Sequence, residues 1–199
     1  MKKTIGFFLA TVLLLAAFAV LPVHGEAGIY DNVIRIHVLA NSDSAEDQAL
    51  KLCVRDAVLA HTEVLLEGVT DRERASELLQ AALPELEQIA ERALLENGAC
   101  CDVTATLGQE EYPRRTYESV ALPAGEYLSL RLCIGEAEGQ NWWCVLFPPM
   151  CLSSATAERE ATCLSAGLTE SQYRLITEGD SPKYKLRFKL LEVAQDLFN

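Results

Sequence analysis

The alternation of apolar and polar residues along the chain starts at residue 32. The segment "NVIRIHVLA", residues 32–40, has a period of two, which predicts a β-strand. One face of this strand is wholly apolar, whereas the other places Arg35 and His37 between Val33 and Leu39. We therefore predict one face in the core and one face that carries polar groups.

The pattern then changes to a helical spacing. In "NSDSAEDQ", Ser44 and Asp47 three positions later predict a capping box at the start of a helix that runs to about Glu67. Thr70 and Glu73 predict a second helix start, and Pro84 is expected to kink that second helix or to split it. Two long amphipathic helices thus follow the first strand.

After residue 98 the period of two returns. Residues 99–108 predict a strand, "YESVAL" and "EYLSLRLCIG" predict a hairpin around "PAG", and "WWCVLF" predicts a buried strand. Residues 152–168 predict a loop or a short helix, and residues 184–198 predict a final helix. The order of elements indicates one α+β domain over residues 26–199, a mainly antiparallel β-sheet with helices packed on one face.

Residues 1–25 are set apart from this domain. Two lysines precede an uncharged, mostly apolar run, and "PVHGEAG" follows with small residues that suit a signal-peptidase site before Glu26. The run also suits an uncleaved membrane anchor. Either reading predicts a secreted, extracytoplasmic domain that touches a membrane only if the segment stays as its anchor.

The net charge of the chain excludes one class of binding partner. The chain has 199 residues and a formal net charge of −12. Residues 1–25 hold two lysines and no acid, so the remainder carries −14. A domain with this charge is repelled by nucleic acid and by anionic lipid, so we predict no nucleic-acid partner.

Two cysteines bracket the segment "WWCVLFPPMC". In an exported chain we predict a disulfide between Cys144 and Cys151, with buried free cysteines and a thiolate nucleophile as the alternatives. A nucleophile at Cys144 would need a histidine base, and His37 could serve only if the two strands are neighbours. No spacing typical of a zinc site or of a phosphate-binding loop is present, so we predict no metal and no cofactor.

The adjacent tryptophans cannot share one environment. Successive residues of a strand point to opposite faces of a sheet, so Trp142 and Trp143 must face opposite ways. Either a two-layer core buries both, or one of them faces a binding partner.

Three strings carry a resemblance to a known family. They are "VIRIHVLANSDSAEDQALKLCVRDAVL", "YPRRTY" and "LPAGEYLSLRLCIGEAEGQNWWCVLFPPMC", in this order over about residues 32–151. Together they resemble the family of stage II sporulation protein R. One departure is Arg115, where the family usually has lysine, so the charge is kept.

The resemblance implies a signalling protein and not an enzyme. Members of the family are sent from the forespore into the space between the two membranes that separate it from the mother cell. There they activate a membrane-embedded aspartic protease, the sigma-E factor processing peptidase, which cleaves pro-sigma-E. The alternative from the residues themselves is an exported cysteine-dependent hydrolase that uses Cys144 and His37.

The matching positions supply candidates for partner contact or for structure. These candidates are Arg35, His37, Asn41, Asp43, Tyr117, Asn141, Trp142 and Trp143. The surface that we expect to dock combines the polar face of the first strand with the tryptophan strand.

Overall fold

The structure, a computed structural model of the chain, describes residues 27–117, 120–150 and 156–177. Its helices are α1 (Ala27–Tyr30), α2 (Ala45–Leu65), α3 (Arg72–Glu96), α4 (Thr156–Ser165) and α5 (Glu170–Thr177). Its strands are β1 (Ile34–Leu39), β2 (Val103–Tyr112), β3 (Arg115–Tyr117), β4 (Val120–Leu122), β5 (Gly125–Ile134) and β6 (Asn141–Phe147). The predicted signal or anchor segment, the predicted final helix and Cys151 lie outside the described residues.

Four strands form the main sheet in the order β2–β5–β1–β6. The pairs β2–β5 and β1–β6 are antiparallel, and β1–β5 is parallel. This mainly antiparallel mixed sheet with helices confirms the predicted α+β fold.

The predicted hairpin around "PAG" is wrong. Strand β4 pairs with β3 in a separate two-stranded sheet, with Thr116 opposite Ala121. Strand β5 pairs instead with β2 along its whole length and with β1 from Leu128 onward. Because both alternatives alternate apolar and polar residues in the same way, the sequence pattern could not separate them.

The long helices start almost where the sequence predicts. The hydroxyl of Ser44 accepts from the backbone N–H of Asp47 at 3.0 Å, which confirms the first cap. At α3 the cap is Asp71 and not Thr70, because the Asp71 carboxylate accepts from the N–H of Arg74 at 2.8 Å. Helix α3 is unbroken at Pro84. Because Pro84 is exposed, water can donate a hydrogen bond to the helix carbonyl that lacks a backbone N–H partner at the proline.

The two long helices share one core with one face of the sheet. This core holds the apolar face of β1 (Ile34, Ile36 and Val38) with apolar residues of α2 and α3. Val33 belongs instead to a second cluster, as the period of two predicts. None of the described helices is both long enough and apolar enough to cross a bilayer.

The second cluster covers only part of the other face of the sheet. It contains residues of α1, of the β3–β4 hairpin and of α4 and α5, packed against the start of β1 and the end of β2. The opposite end of this face carries exposed residues, among them Thr104, Thr106 and Arg131. This uncovered part is named below the open half of the sheet.

Candidate functional site

The strand register defines the open half as two rows of side chains. The first row, named here the His37 row, crosses all four strands and consists of Thr106, Arg131, His37 and Trp143. The second row consists of Thr104, Cys133, Leu39 and Asn141. Three candidates from the sequence, His37, Asn141 and Trp143, are therefore brought together on one surface.

His37 is the best-anchored member of its row. It is only 5% exposed, and its Nδ1 lies 2.7 Å from Oε1 of Glu110. Its Nε2 lies 2.7 Å from Oδ1 of Asn141, and its ring centroid lies 5.3 Å from that of Trp143. The imidazole is thus held at both nitrogens and on one face, which fixes its orientation.

The two tryptophans face opposite ways, as predicted. Trp143 is half-buried beside the second cluster, and the guanidinium carbon of Arg115 lies 4.1 Å from its ring centroid. Trp142 packs against the core on the helix side, 5.1 Å from the guanidinium carbon of Arg55. Trp143 is therefore the tryptophan of the open half.

Arg35 lies next to this surface but is fully buried. Its Nε donates to the carbonyl of Cys144 at 2.9 Å, and its Nη2 donates to the hydroxyl of Tyr117. Its guanidinium carbon also lies 4.2 Å from the ring centroid of Tyr112 and 5.1 Å from that of Tyr127. Arg35 and Tyr117 therefore join the hairpin to the sheet, which is a structural role for both.

Burial dominates the ionisation of the tyrosines around Arg35. It raises the pKa of Tyr117, and the positive charge of Arg35 opposes that effect. Burial likewise raises the pKa of Tyr112, although its hydroxyl, 2.6 Å from Oγ of Ser129, gains a hydrogen bond that acts in the opposite direction. Both phenols thus stay neutral and serve as cation–π and hydrogen-bonding partners.

Asn41 and Asp43 belong to a different structure, a clamp between two connections. Oδ1 of Asn41 accepts from the N–H of Glu136 at 3.1 Å, and Oδ1 of Asp43 accepts from the N–H of Gln140 at 2.8 Å. The ammonium of Lys51 donates to the carbonyl of Gln140 at 2.8 Å. These contacts join the β1–α2 connection and helix α2 to the β5–β6 connection, so Asn41 and Asp43 position the start of β6.

The same clamp explains a lowered pKa. The hydroxyl of Ser42 and then the amide of Asn41 donate to the Asp47 carboxylate and lower its pKa. Hydrogen bonds that stabilise the ionised form act in this direction.

Cys144 and His37 do not form a catalytic pair. His37 is opposite Trp143 in the register, whereas Cys144 is opposite Ile36 and lies in the core on the helix side. Cys144 is moreover disulfide-bonded, so it presents no thiolate. The predicted partner Cys151 lies outside the described residues, and that pairing stays a prediction.

No alternative site for a metal emerges from the described residues. Among them, no group of three His, Cys, Asp or Glu side chains is placed to hold an ion. A cavity of about 310 Å³ lies at the end of α2, but its lining is mainly apolar, with Leu59, Leu66, Val69 and Leu146. It adds no cluster of reactive groups.

Sequence reasoning missed two residues next to His37, namely Arg131 of the open half and Glu110, which reaches His37 from outside the two rows. Alternation along "EYLSLRLCIG" does place Arg131 on the face opposite the leucines. Its position beside His37 follows only from the parallel pairing of β1 with β5. Glu110 likewise reaches His37 from a strand that is not its neighbour.

Comparison with known proteins identifies the family of the chain. The sequence model of the family described as Stage II sporulation protein R matches residues 30–157. The chain belongs to the stage II sporulation protein R family. A curated member from Bacillus subtilis (strain 168), named Stage II sporulation protein R, is 33% identical over 187 residues, which cover 86% of this chain and 84% of that protein. No solved structure matches the chain.

Proposed function

We propose that this member of the family is an exported, non-enzymatic signal that activates the membrane-embedded protease that cleaves pro-sigma-E. It would act in the space between forespore and mother cell, with residues 1–25 directing its export. The observation that carries this proposal is the open half of the sheet, where the half-buried Trp143 lies next to both His37 and Arg115. A partly exposed indole beside an arginine is typical of a protein-binding surface, because both residue types are enriched at binding hot spots.

The chemistry of the open half supports a ligand better than a catalyst. Both nitrogens of His37 already face oxygen atoms of the same chain, and Cys144 lies across the sheet in a disulfide. A docking surface needs only complementary shape and charge. Binding to one state of the protease would then shift its population toward the active form.

Alanine substitutions of the two tryptophans test the proposed docking surface. The full chain, the protease and pro-sigma-E are co-expressed in a bacterium that makes no other sporulation protein. We expect Trp143→Ala to lower pro-sigma-E cleavage by about tenfold or more, because a tryptophan that is an interface hot spot contributes about 2 kcal/mol or more. Cleavage is read as the ratio of processed to unprocessed sigma factor, at matched amounts of exported protein.

Trp142→Ala is the matched control. It removes an equal side chain from the helix side of the same strand. We expect it to lower stability and exported amount but to preserve cleavage per molecule. Equal cleavage by Trp143→Ala and wild type would show that the open half is not the docking surface. Failure of the wild type to trigger cleavage would refute the function itself.

A further inference from the structure

The open half differs in charge from the rest of the molecule. The four strands of the main sheet contain three acids, Glu110, Glu111 and Glu126. Alternation places Glu111 and its register partner Glu126 on the helix-side face. Glu110 is therefore the one strand acid on the other face, and it is engaged by His37. In a chain of net charge −12, the strand residues of this face, Arg35 and Arg131 against Glu110, have a formal charge of +1.

Two arginines of this surface have no acidic partner among the described residues. Arg131 is exposed and lies between Thr106 and His37 in the register. Arg115 lies over the Trp143 ring, and its Nε is buried with no hydrogen-bond acceptor. An acidic protein that leaves two arginines unpaired on one surface has charge available there for a binding partner.

The geometry of Arg115 suits a carboxylate. A guanidinium over an indole still has N–H donors in its own plane, and these match the two oxygens of a carboxylate. Arg131 lies two strand spacings from Trp143 in the register, which corresponds to about 10 Å between their Cα atoms. Two carboxylates on one short peptide segment can span such a distance.

We propose that Arg115, over the Trp143 ring, and Arg131, beside His37, bind carboxylate side chains on an extracytoplasmic segment of the protein partner. This inference rests on the proposed function and names the chemistry of its docking surface. A polyanionic partner is disfavoured because nucleic acid or an anionic membrane would meet the repulsion of the whole domain, which carries −14 beyond residue 25. A few carboxylates on a peptide meet mainly the local field of the two arginines.

Charge reversal in the co-expression assay tests the inference. We expect Arg131→Glu and Arg115→Glu each to lower cleavage at least about tenfold at matched amounts of exported protein, as for charge pairs that are partly desolvated in an interface. Arg92→Glu is the matched control, because Arg92 is exposed on α3 and the substitution changes the net charge equally. We expect it to stay within about twofold of wild type. Exported amount and resistance to added protease report folding.

Rescue identifies the partner group. Each Asp and Glu in the extracytoplasmic loops of the protease is replaced by Arg in turn. We expect at least one replacement to restore cleavage with Arg131→Glu while impairing cleavage with wild type. Arg131→Lys, which keeps the charge, should lose far less activity than Arg131→Glu.

The outcomes separate the two proposals. If wild type triggers cleavage and both arginine variants behave like Arg92→Glu, the carboxylate contact is refuted and the signalling function stands. If the variants lose cleavage but no loop replacement restores it, the partner group is not a carboxylate of the protease and the inference also fails. If wild type triggers nothing, the proposed function fails first.

Discussion

At the scale of single residues, Arg35 connects three parts of the molecule. It lies on β1, donates to a carbonyl of β6 and donates to Tyr117 of the hairpin. Its Nη1 is buried without an acceptor. The rings of Tyr112 and Tyr127 therefore offset part of the desolvation free energy of the guanidinium. We infer that this buried cation favours one arrangement of its neighbours.

We expect Arg35→Ala to lower the free energy of unfolding by about 3 kcal/mol or more. The substitution leaves a cavity, and the Tyr117 hydroxyl and the Cys144 carbonyl lose their donor. Urea unfolding of the full chain in detergent, followed by tryptophan fluorescence, measures the change. Arg131→Ala is the matched control, and because Arg131 is exposed its change should stay within about 0.5 kcal/mol. Similar values for the two variants would contradict the role of Arg35.

At the scale of elements, two connections hold the sheet in register. The backbone N–H of Gly139 donates to the carbonyl of Ala40 at 2.9 Å, beside the contacts of Asn41 and Asp43. A Cβ atom at Gly139 would lie 2.2 Å from the carbonyl oxygen of Ser42, so a side chain there has no room. Only glycine allows the β5–β6 connection to lie this close to the β1–α2 connection.

We expect Gly139→Ala to destabilise the fold by about 2–4 kcal/mol and to lower pro-sigma-E cleavage as well. The clash forces the connection away and shifts Asn141, which holds His37. Thermal unfolding and the co-expression assay measure the two effects. Gly108→Ala is the control, since a Cβ atom there meets nothing within 4 Å. A stable and active Gly139→Ala variant would disprove the clamp.

The edge of β2 is protected by a neighbouring helix. Oε1 of Glu87 accepts from the N–H of Ala105 at 2.9 Å, which satisfies a donor that would otherwise attract another strand. Helical periodicity predicts α3 but not this contact, because the glutamate lies outside its apolar stripe. Contacts between elements are thus partly made by residues that a pattern assigns to solvent.

At the scale of the whole molecule, the second cluster links stability to pH. Tyr112 lies in it and Tyr117 packs against it, and burial raises the pKa of both. In the unfolded chain they ionise near the usual value of about 10. Since the folded protein holds these protons more tightly, the stabilisation is complete below about pH 10 and is lost as the pH rises further.

We expect the free energy of unfolding to fall between about pH 9 and pH 11, and to fall less in Tyr112→Phe. The phenylalanine keeps the ring beside Arg35 but has no proton to lose. Urea unfolding at both pH values measures the two slopes. Equal slopes for wild type and Tyr112→Phe would show that the alkaline loss has another origin.

The sequence predicts local structure well where a few adjacent residues decide it. Ser44 and Asp47 predict the start of α2, and the alternation around Arg35 predicts both faces of β1. The start of α3 is predicted one residue early, because Thr70 and Asp71 both suit a cap. The wrong hairpin shows the limit, since alternation does not specify which strand a segment pairs with, and β4 pairs with β3.

The sequence by itself determined the fold class, the family and the opposed faces of the two tryptophans, because each depends on local periodicity or on an ordered string of residues. Only the tertiary structure decided that Trp143 and not Trp142 lies on the open half, that Asn41 and Asp43 form a clamp, and that Arg131 lies beside His37. Those facts depend on strand order and register. Strand order and register follow from the packing of the whole domain, because one strand can satisfy its hydrogen bonds equally well with several partners.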